Sequence, residues 1–268
     1  MAKLPFDELP FHQDYVQMWQ DMNLRTAEEP INAKYEELSK LLGQYAALNN
    51  QFISIFNTKS QRVLYMSPNY LDVMGYTCTE EEYKRWSTLY WMRDLPFSQS
   101  WFFMQMTIFF KNTVQPLLKN AKEAKSLSWY MHNFLLHPPK TTLHHISLTG
   151  TGLELTEDGS MIVMLLIIKE VSPVIKENGS WWAEFKINNK TVYHFHQDEK
   201  KFIKGSILTD REQEILGLVK LGLDTKAIAE KLFISPHTVD KHRKNMLERT
   251  GAKDTSSLIQ ICEAGKII

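Results

Sequence analysis

The chain has 268 residues, a length that favours two domains over one. Hydrophobic residues make up 43% and charged residues 23%, with a mean hydropathy of −0.32, a composition that excludes an intrinsically disordered protein. The 31 basic and 31 acidic side chains cancel, which excludes a uniformly basic nucleic-acid coat, so charge has to be considered by segment.

The two cysteines, Cys78 and Cys262, are too few for a disulfide framework or a four-sulfur zinc site. Their number favours a reducing compartment. The longest apolar run, from Met161 to Ile168, is far shorter than the roughly 20 residues that cross a bilayer. The first residues lack the continuous apolar run of a secretory signal. We therefore expect a cytoplasmic protein without a membrane partner.

The first part of the chain, residues 1–49, is predicted to be helical. Phe11–Met22 and Ile31–Leu48 both show apolar residues at helical spacing. In the second helix, Tyr35, Leu38 and Leu42 follow one another at steps of three and four. This spacing predicts amphipathic helices.

Residues 50–202 are predicted to form an α+β domain, because short apolar runs broken by turns replace the helical pattern. The five predicted strands are Phe52–Phe56, Val63–Met66, Leu127–Leu136, Leu143–Leu155 and Met161–Val171, with one helical stretch from about Pro96 to Lys125. An extra hairpin, Trp181–Ile187 and Val192–His196, turns at Asn188-Asn189-Lys190. The β pattern stops there, and the domain boundary is placed near residue 202.

Residues 203–268 are predicted to be all-helical, with a helix-turn-helix. Thr209 and Glu212 have the spacing of a capping box, and Gly222 suits a helix C-terminus. Asp224 or Thr225 can cap a second helix through Leu232. Ser235 caps a third helix, with Pro236 in its first position, which runs to about Thr250.

The third helix is predicted to pack through one face and to reach outward through another. Val239 and Met246, seven residues apart, belong to the packing face. Lys241 and Lys244 share a different face. A helix of this kind fits the major groove of double-stranded DNA, where lysine can meet guanine acceptors.

Three segments of this region, Leu208-Thr-Asp-Arg-Glu212, Thr225-Lys-Ala-Ile-Ala229 and Ile234-Ser-Pro-His-Thr-Val-Asp-Lys-His-Arg243, resemble the LuxR-type DNA-binding domain. The resemblance implies a four-helix module whose last helix is Thr255–Ala264. It implies base-facing positions for Asp240, Lys241 and Lys244, and backbone contacts for Lys226, Thr238, His242 and Arg243.

Two residues depart from the family pattern. Asp240 stands where many members carry a cation, so it would repel phosphate and accept a hydrogen bond from a cytosine amino group. Thr250 replaces the usual apolar residue before Gly251, and we expect it to loosen the turn before the fourth helix.

The stretch Val63-Leu-Tyr-Met-Ser-Pro-Asn-Tyr-Leu-Asp-Val-Met-Gly-Tyr76 resembles the second strand and first helix of PAS domains. The resemblance implies a five-stranded antiparallel sheet that cups a cavity, and dimerisation through the preceding helix, Tyr35 to Leu48. An ordinary packing helix is the alternative for that segment. Trp91, Trp101, Phe103 and Trp129 are candidates to line a ligand pocket, and core packing is the alternative for them.

Histidine is concentrated between His132 and His196, which raises the question of a metal or haem. His194 and His196 share one face of a strand, and His144 would be a third ligand of a metal-dependent enzyme. Satisfied or exposed histidines are the alternative. No catalytic motif is present, so we expect no enzyme, no catalytic or metal site and no required cofactor, with a small ligand or haem left open.

The combined hypothesis is a one-component transcription regulator, in which a PAS-like sensory domain controls a LuxR-type helix-turn-helix. Its expected partners are promoter DNA, a second copy of the chain and RNA polymerase. Helix four and the N-terminal helices are the candidate dimer contacts. The alternative is a ligand-binding or protein-interaction module whose helix-turn-helix docks a protein partner.

Overall fold

The computed structural model describes residues 32–49, 51–58, 62–73, 95–118, 120–136, 144–156, 159–176 and 179–268. The predicted helix Phe11–Met22 lies outside these residues. The chain divides into two compact units. The first contains the described residues up to Ser128 together with Phe134–Glu170, and the second contains Trp129–Asn133 and Val171–Ile268. The predicted boundaries at residues 49 and 202 stay predictions.

Eight α-helices and eight strands lie in the described part of the chain. The helices are α1 (Asn32–Leu48), α2 (Pro68–Val73), α3 (Phe97–Phe109), α4 (Ala121–Ser126), α5 (Asp210–Lys220), α6 (Thr225–Leu232), α7 (Pro236–Thr250) and α8 (Thr255–Ala264). The strands are β1 (Gln51–Asn57), β2 (Arg62–Met66), β3 (Ser128–Leu136), β4 (His144–Leu155), β5 (Met161–Glu170), β6 (Trp182–Ile187), β7 (Lys190–His196) and β8 (Lys201–Lys204). No described helix has the length and apolar character needed to cross a bilayer.

The first unit is built on antiparallel strands in the order β2-β1-β5-β4. Strand β1 is buried on both faces, which explains its almost continuous apolar sequence. Ile53 and Ile55 pack in a cluster with Tyr35 of α1. On the other face, the Phe52 ring lies 5.8 Å from that of Tyr70 on α2. Strand β1 is therefore covered by a helix on each face.

The structure confirms the predicted mixed α+β class and the strand positions, and it corrects the helical stretch from Pro96 to Lys125. Helix α3 passes into a π-helical turn, Phe110–Val114, and a short 3₁₀ turn, Gln115–Leu117. Pro116 lies in that turn, where a proline cannot continue an α-helix. Asn120 then caps a separate helix, α4, by accepting the N–H of Glu123 at 3.0 Å.

The second unit contains a three-stranded antiparallel arrangement, β6-β7-β8. Asn188 and Asn189 join β6 to β7 with positive φ angles of 52° and 61°, the conformation that suits a two-residue hairpin. Strand β8 corrects the prediction that the β pattern ends at His196. It pairs Phe202 with Phe195 and Ile203 with His194. The strand has only four residues and begins and ends with lysine, so its sequence shows no strand pattern.

A buried ion pair lies inside this sheet. Glu184 and Lys186, both on β6, are 2.8 Å apart, with side chains 0% and 3% exposed. Glu184 also accepts hydrogen bonds from Ser206 Oγ and the Ile207 N–H, each at 2.8 Å. Thr191 Oγ1 donates to its other oxygen at 2.8 Å. The carboxylate therefore joins β6 and β7 to the segment that starts the C-terminal helices.

The four predicted C-terminal helices are confirmed within one or two residues as α5 to α8. Their core contains Ile215, Ile228, Val239 and Met246, all completely buried. Cys262 of α8 belongs to the same core, and burial raises the pKa of its thiol to about 12. The thiol is therefore protonated at neutral pH and serves as a small apolar side chain.

Candidate nucleic-acid interface

Local capping fixes where each helix of the helix-turn-helix begins. Thr209 and Glu212 form the predicted capping box at the start of α5. Asp224 accepts the N–H of Ala227 at 2.8 Å and caps α6. Ser235 accepts the N–H of Thr238 at 3.1 Å, which caps α7 next to Pro236. These contacts place the start of α7 immediately after the turn that follows α6.

Helix α7 has the two faces that its sequence predicts. Val239 and Met246 are 0% exposed and pack in the core. Lys241 and Lys244 are exposed. Lys244 has an acidic neighbour, Glu248, at 3.8 Å, but both side chains are more than half exposed, so this pair holds the ammonium weakly. Two lysines on one helix are thus accessible to a negatively charged partner.

Arg243 joins three helices beside this exposed face. Its Nη1 donates to Thr225 Oγ1 at 3.2 Å, and its Nη2 donates to Thr255 Oγ1 at 3.0 Å. Thr225 Oγ1 in turn donates to Asp240 Oδ1 at 3.1 Å. The network fixes the N-termini of α6 and α8 against the middle of α7. Asp240, predicted to face bases, is thereby also a partner within the domain.

Thr225 and Thr255 are the residues of this network that the sequence interpretation missed as site residues. Each follows the capping aspartate of its helix, Asp224 or Asp254. The repeated Asp-Thr pair at the start of both helices is the sequence feature that could have indicated their shared role. At the second pair, the Ser257 N–H donates to Asp254 at 2.8 Å and lowers the pKa of that carboxyl, which keeps the cap ionised.

The other predicted backbone contacts are distributed around the same surface. Lys226 is exposed in the first turn of α6, and His242 is half-buried on α7. Thr238 is half-buried, and its Oγ1 lies 2.8 Å from Ser235 Oγ. The structure therefore groups the predicted DNA-contacting residues on α6 and α7, while their contacts to DNA stay a prediction.

Phe233 occupies the turn before α7 in an unfavourable conformation. Its φ is 55° and its side chain is 95% exposed, so the left-handed backbone is not compensated by burial of the ring. Phe233→Asn should raise the free energy of unfolding by about 1 kcal/mol, because asparagine tolerates this region better. Urea denaturation checks this value. Leu221→Asn, at an exposed residue with φ −77°, is the control and should bring no such gain.

The structure describes three of the four predicted pocket residues. Trp91 falls outside the described residues. Trp101 of α3 is 39% exposed, whereas Phe103 is buried with its ring 5.5 Å from that of Phe134. Trp129 is buried on β3. A small apolar cavity of the first unit is lined by other residues, among them Ser54, Phe56, Met66, Tyr70, Leu148 and Ile168.

The histidines considered as metal ligands have protein partners. His144 Nδ1 lies 3.3 Å from Glu170 Oε2. His194 Nδ1 lies 2.8 Å from the Gly205 carbonyl, and His196 Nε2 lies 3.1 Å from the Arg249 carbonyl. Among the described residues, no three His, Cys, Asp or Glu side chains are grouped so that they could hold a metal ion.

Comparison with known proteins identifies the helical region. Residues 206–262 match the family described as "Bacterial regulatory proteins, luxR family". The chain is also 27% identical over 131 residues to the oxygen regulatory protein NreC of Staphylococcus aureus strains JH9 and JH1. That alignment covers 47% of this chain, which spans 58% of the length of these relatives.

Two solved structures are similar over more of the chain. The Vibrio cholerae VqmA dimer in the absence of target DNA has a TM-score of 0.33 and 14% identity, covering 85% of this chain and 87% of that one. SdiA in complex with octanoyl-rac-glycerol has a TM-score of 0.26 and 13% identity, covering 96% of both. Because these TM-scores are low, the assignment of this region rests on the family match alone. Residues 206–262 form a LuxR-type helix-turn-helix domain.

Proposed function

We propose that the protein is a one-component transcription regulator whose C-terminal helices bind promoter DNA in the major groove. The observation that carries this proposal is the geometry of α7. Lys241 and Lys244 are exposed, while Val239 and Met246 of the same helix are buried. The helix is thus anchored through one face and offers two ammonium groups on its accessible surface.

The chemistry of these groups suits duplex DNA better than a neutral partner. Lysine donates to the O6 and N7 acceptors of guanine or to phosphate oxygens, and a helix of this diameter enters the major groove. Lys226, which is exposed on the neighbouring helix α6, is proposed to contact a phosphate. Asp240, held by Thr225 at 3.1 Å, would still offer its second oxygen to a cytosine amino group.

The first unit is proposed to be a PAS-like sensory domain. Its antiparallel strand order β2-β1-β5-β4 and its apolar cavity support this proposal. Ser54 and Tyr70 are the residues with polar side chains in a lining that is otherwise apolar, which favours a small, largely apolar ligand. Trp101, Phe103 and Trp129 do not line this cavity.

Dimerisation is proposed to use α1. Leu41, Tyr45 and Leu48 are 59%, 50% and 87% exposed, and their spacing of four and three residues places them along one stripe of the helix. A second copy of the chain would cover this stripe. Two copies of α7, the proposed recognition helix, would then contact DNA about one helical turn apart.

RNA polymerase is the further partner expected of a regulator at a promoter.

The experiment is selection of binding sites from a randomised duplex pool with the full chain, followed by anisotropy titration at several salt concentrations. We expect enrichment of a two-fold symmetric sequence, two chains per duplex, and an affinity that falls steeply with salt. Absence of enrichment and of retardation at every salt concentration would overturn the proposal and favour docking of a protein partner.

A further inference from the structure

The C-terminus of α7 ends differently from those of the other helices in its domain. Helices α5, α6 and α8 are closed by backbone N–H groups that follow them: Leu223 N to Leu218 O at 3.2 Å, Ile234 N to Ala229 O at 3.0 Å and Ile267 N to Cys262 O at 2.8 Å. After α7, the Ala252 N–H donates to Thr250 Oγ1 and the Lys253 N–H donates to Val174 O. Helix α7 therefore lacks this backbone closure.

The sheet and the segment before it supply donors to the carbonyls at this helix end. Trp182 Nε1 of β6 donates to Thr250 O at 3.3 Å. His196 Nε2 of β7 donates to Arg249 O at 3.1 Å, and its Nδ1 accepts the Asp198 N–H at 3.3 Å. Because a carbonyl only accepts, Nε2 carries the proton of this ring. The Lys176 N–H donates to the next carbonyl, that of Gly251, at 3.0 Å.

These donors are held in place by packing. Trp182 is 0% exposed, and its ring lies 5.4 Å from Tyr130 and 5.3 Å from His132. Gly251 and Gly179 approach so closely that a Cβ on Gly179 would lie 3.0 Å from Gly251 O. The contact therefore leaves little room for the helix end to shift relative to the sheet.

Thr250 completes the arrangement. Its side chain is 0% exposed, and its Oγ1 donates to Met246 O at 2.8 Å. The hydroxyl expected to loosen the turn before α8 is thus bonded on both sides, to Met246 O and to the Ala252 N–H. Arg249 also donates to Ile207 O at 3.0 Å and pairs with Glu212 at 2.7 Å.

We propose that Trp182 and His196 are positioning residues for DNA binding, because they fix the recognition helix through its last carbonyls from a hairpin outside the matched residues 206–262. The inference rests on the proposed function. Helix ends leave carbonyls without intrahelical partners, and side-chain donors that satisfy them restrict fraying. The part of the chain that determines DNA binding therefore includes strands β6 and β7 as well as the four C-terminal helices.

The test compares His196→Leu, which removes the donor, with His194→Leu as a matched control. His194 lies on the same strand and bonds a backbone carbonyl, that of Gly205 at 2.8 Å, but not one of α7. His196→Gln is the conservative variant, because its amide can still donate. Trp182→Phe removes the indole N–H together with one of the two fused rings and keeps an aromatic side chain.

The readout is the affinity of each full-length variant for the duplex selected by the unaltered chain and for a mixed-sequence duplex of equal length, well below the unfolding temperature. Loss of one such hydrogen bond should weaken binding of the selected duplex about three- to tenfold in His196→Leu and Trp182→Phe. Binding of the mixed duplex and its salt dependence should be unchanged, since the lysines remain. His196→Gln should restore most of the affinity.

Two results would overturn the inference. One is equal affinity of His196→Leu and His194→Leu for the selected duplex, which would leave the hairpin a purely stabilising role. The other is unchanged amide hydrogen exchange over residues 246–251 in His196→Leu, where faster exchange than in the control is expected. If the unaltered chain binds no duplex, the proposed function fails, and the exchange measurement alone decides whether the hairpin holds the helix.

Discussion

Glu184→Leu is expected to lower the free energy of unfolding of the second unit by about 3–5 kcal/mol, which is the cost of removing one partner of a buried ion pair. The Lys186 ammonium would remain 3% exposed. Its other acceptors are Thr191 Oγ1 at 3.0 Å and Lys266 O at 3.3 Å, neither of which carries a charge. The Ile207 N–H would also lose its acceptor, which adds to the penalty.

Native-state hydrogen exchange of amides in α5 to α8 measures this effect on the unit itself. Glu199→Leu, the same substitution at an exposed residue of the β7–β8 turn, is the control and should change stability by no more than about 0.5 kcal/mol. Glu184→Leu combined with Lys186→Leu should recover part of the loss, because no unpaired charge remains. A Glu184→Leu protein as stable as the control would show that the ion pair is hydrated in solution.

The double substitution Lys241→Ala and Lys244→Ala is expected to weaken binding of the selected duplex about 100-fold or more, since each lysine contact to DNA contributes about 1–3 kcal/mol. Both side chains are exposed, and the neighbouring pair Lys244–Glu248 is long at 3.8 Å. The substitutions should therefore leave the stability of the domain nearly unchanged. Anisotropy titration with the selected and mixed duplexes measures the affinities.

The salt dependence distinguishes two ways in which these lysines could act. If both contact phosphates, the slope of log K against log salt should become less steep by about 0.9 for each lysine, with similar loss on both duplexes. If they contact guanine, the loss should concentrate on the selected duplex. Lys253→Ala, an exposed lysine in the turn after α7, is the control. Unchanged affinity of the double variant at moderate salt would contradict the groove assignment.

The two predictions concern different free energies. Substituting the exposed lysines of α7 should change the affinity for DNA, whereas substituting Glu184 should change the free energy of unfolding. The lysines contribute to affinity and little to folding. Glu184 contributes to folding and is buried, so it is not part of the exposed surface of the domain. A variant such as His196→Leu is expected to fall between the two cases, because it alters the position of the recognition helix without removing charge from its surface.

The helices and the hairpin turn were predictable because their boundaries follow from local chemistry. A capping box at Thr209, a cap at Ser235 followed by Pro236, and Gly251 at φ 73° define helix ends within a few residues of sequence. Asn188 and Asn189 likewise define the β6–β7 turn. The exposed face of α7 follows from the helical period together with the buried residues Val239 and Met246.

Only the tertiary structure decided the contacts between residues distant in the chain. Strand β8 forms because β7 offers it a partner edge, and four residues bounded by lysines carry too little pattern to predict pairing. The bonds of Trp182 to Thr250 and of His196 to Arg249 join residues more than fifty positions apart. Sequence spacing fixes which groups need hydrogen-bond partners, whereas packing of the sheet against the helix end determines which partners come within reach.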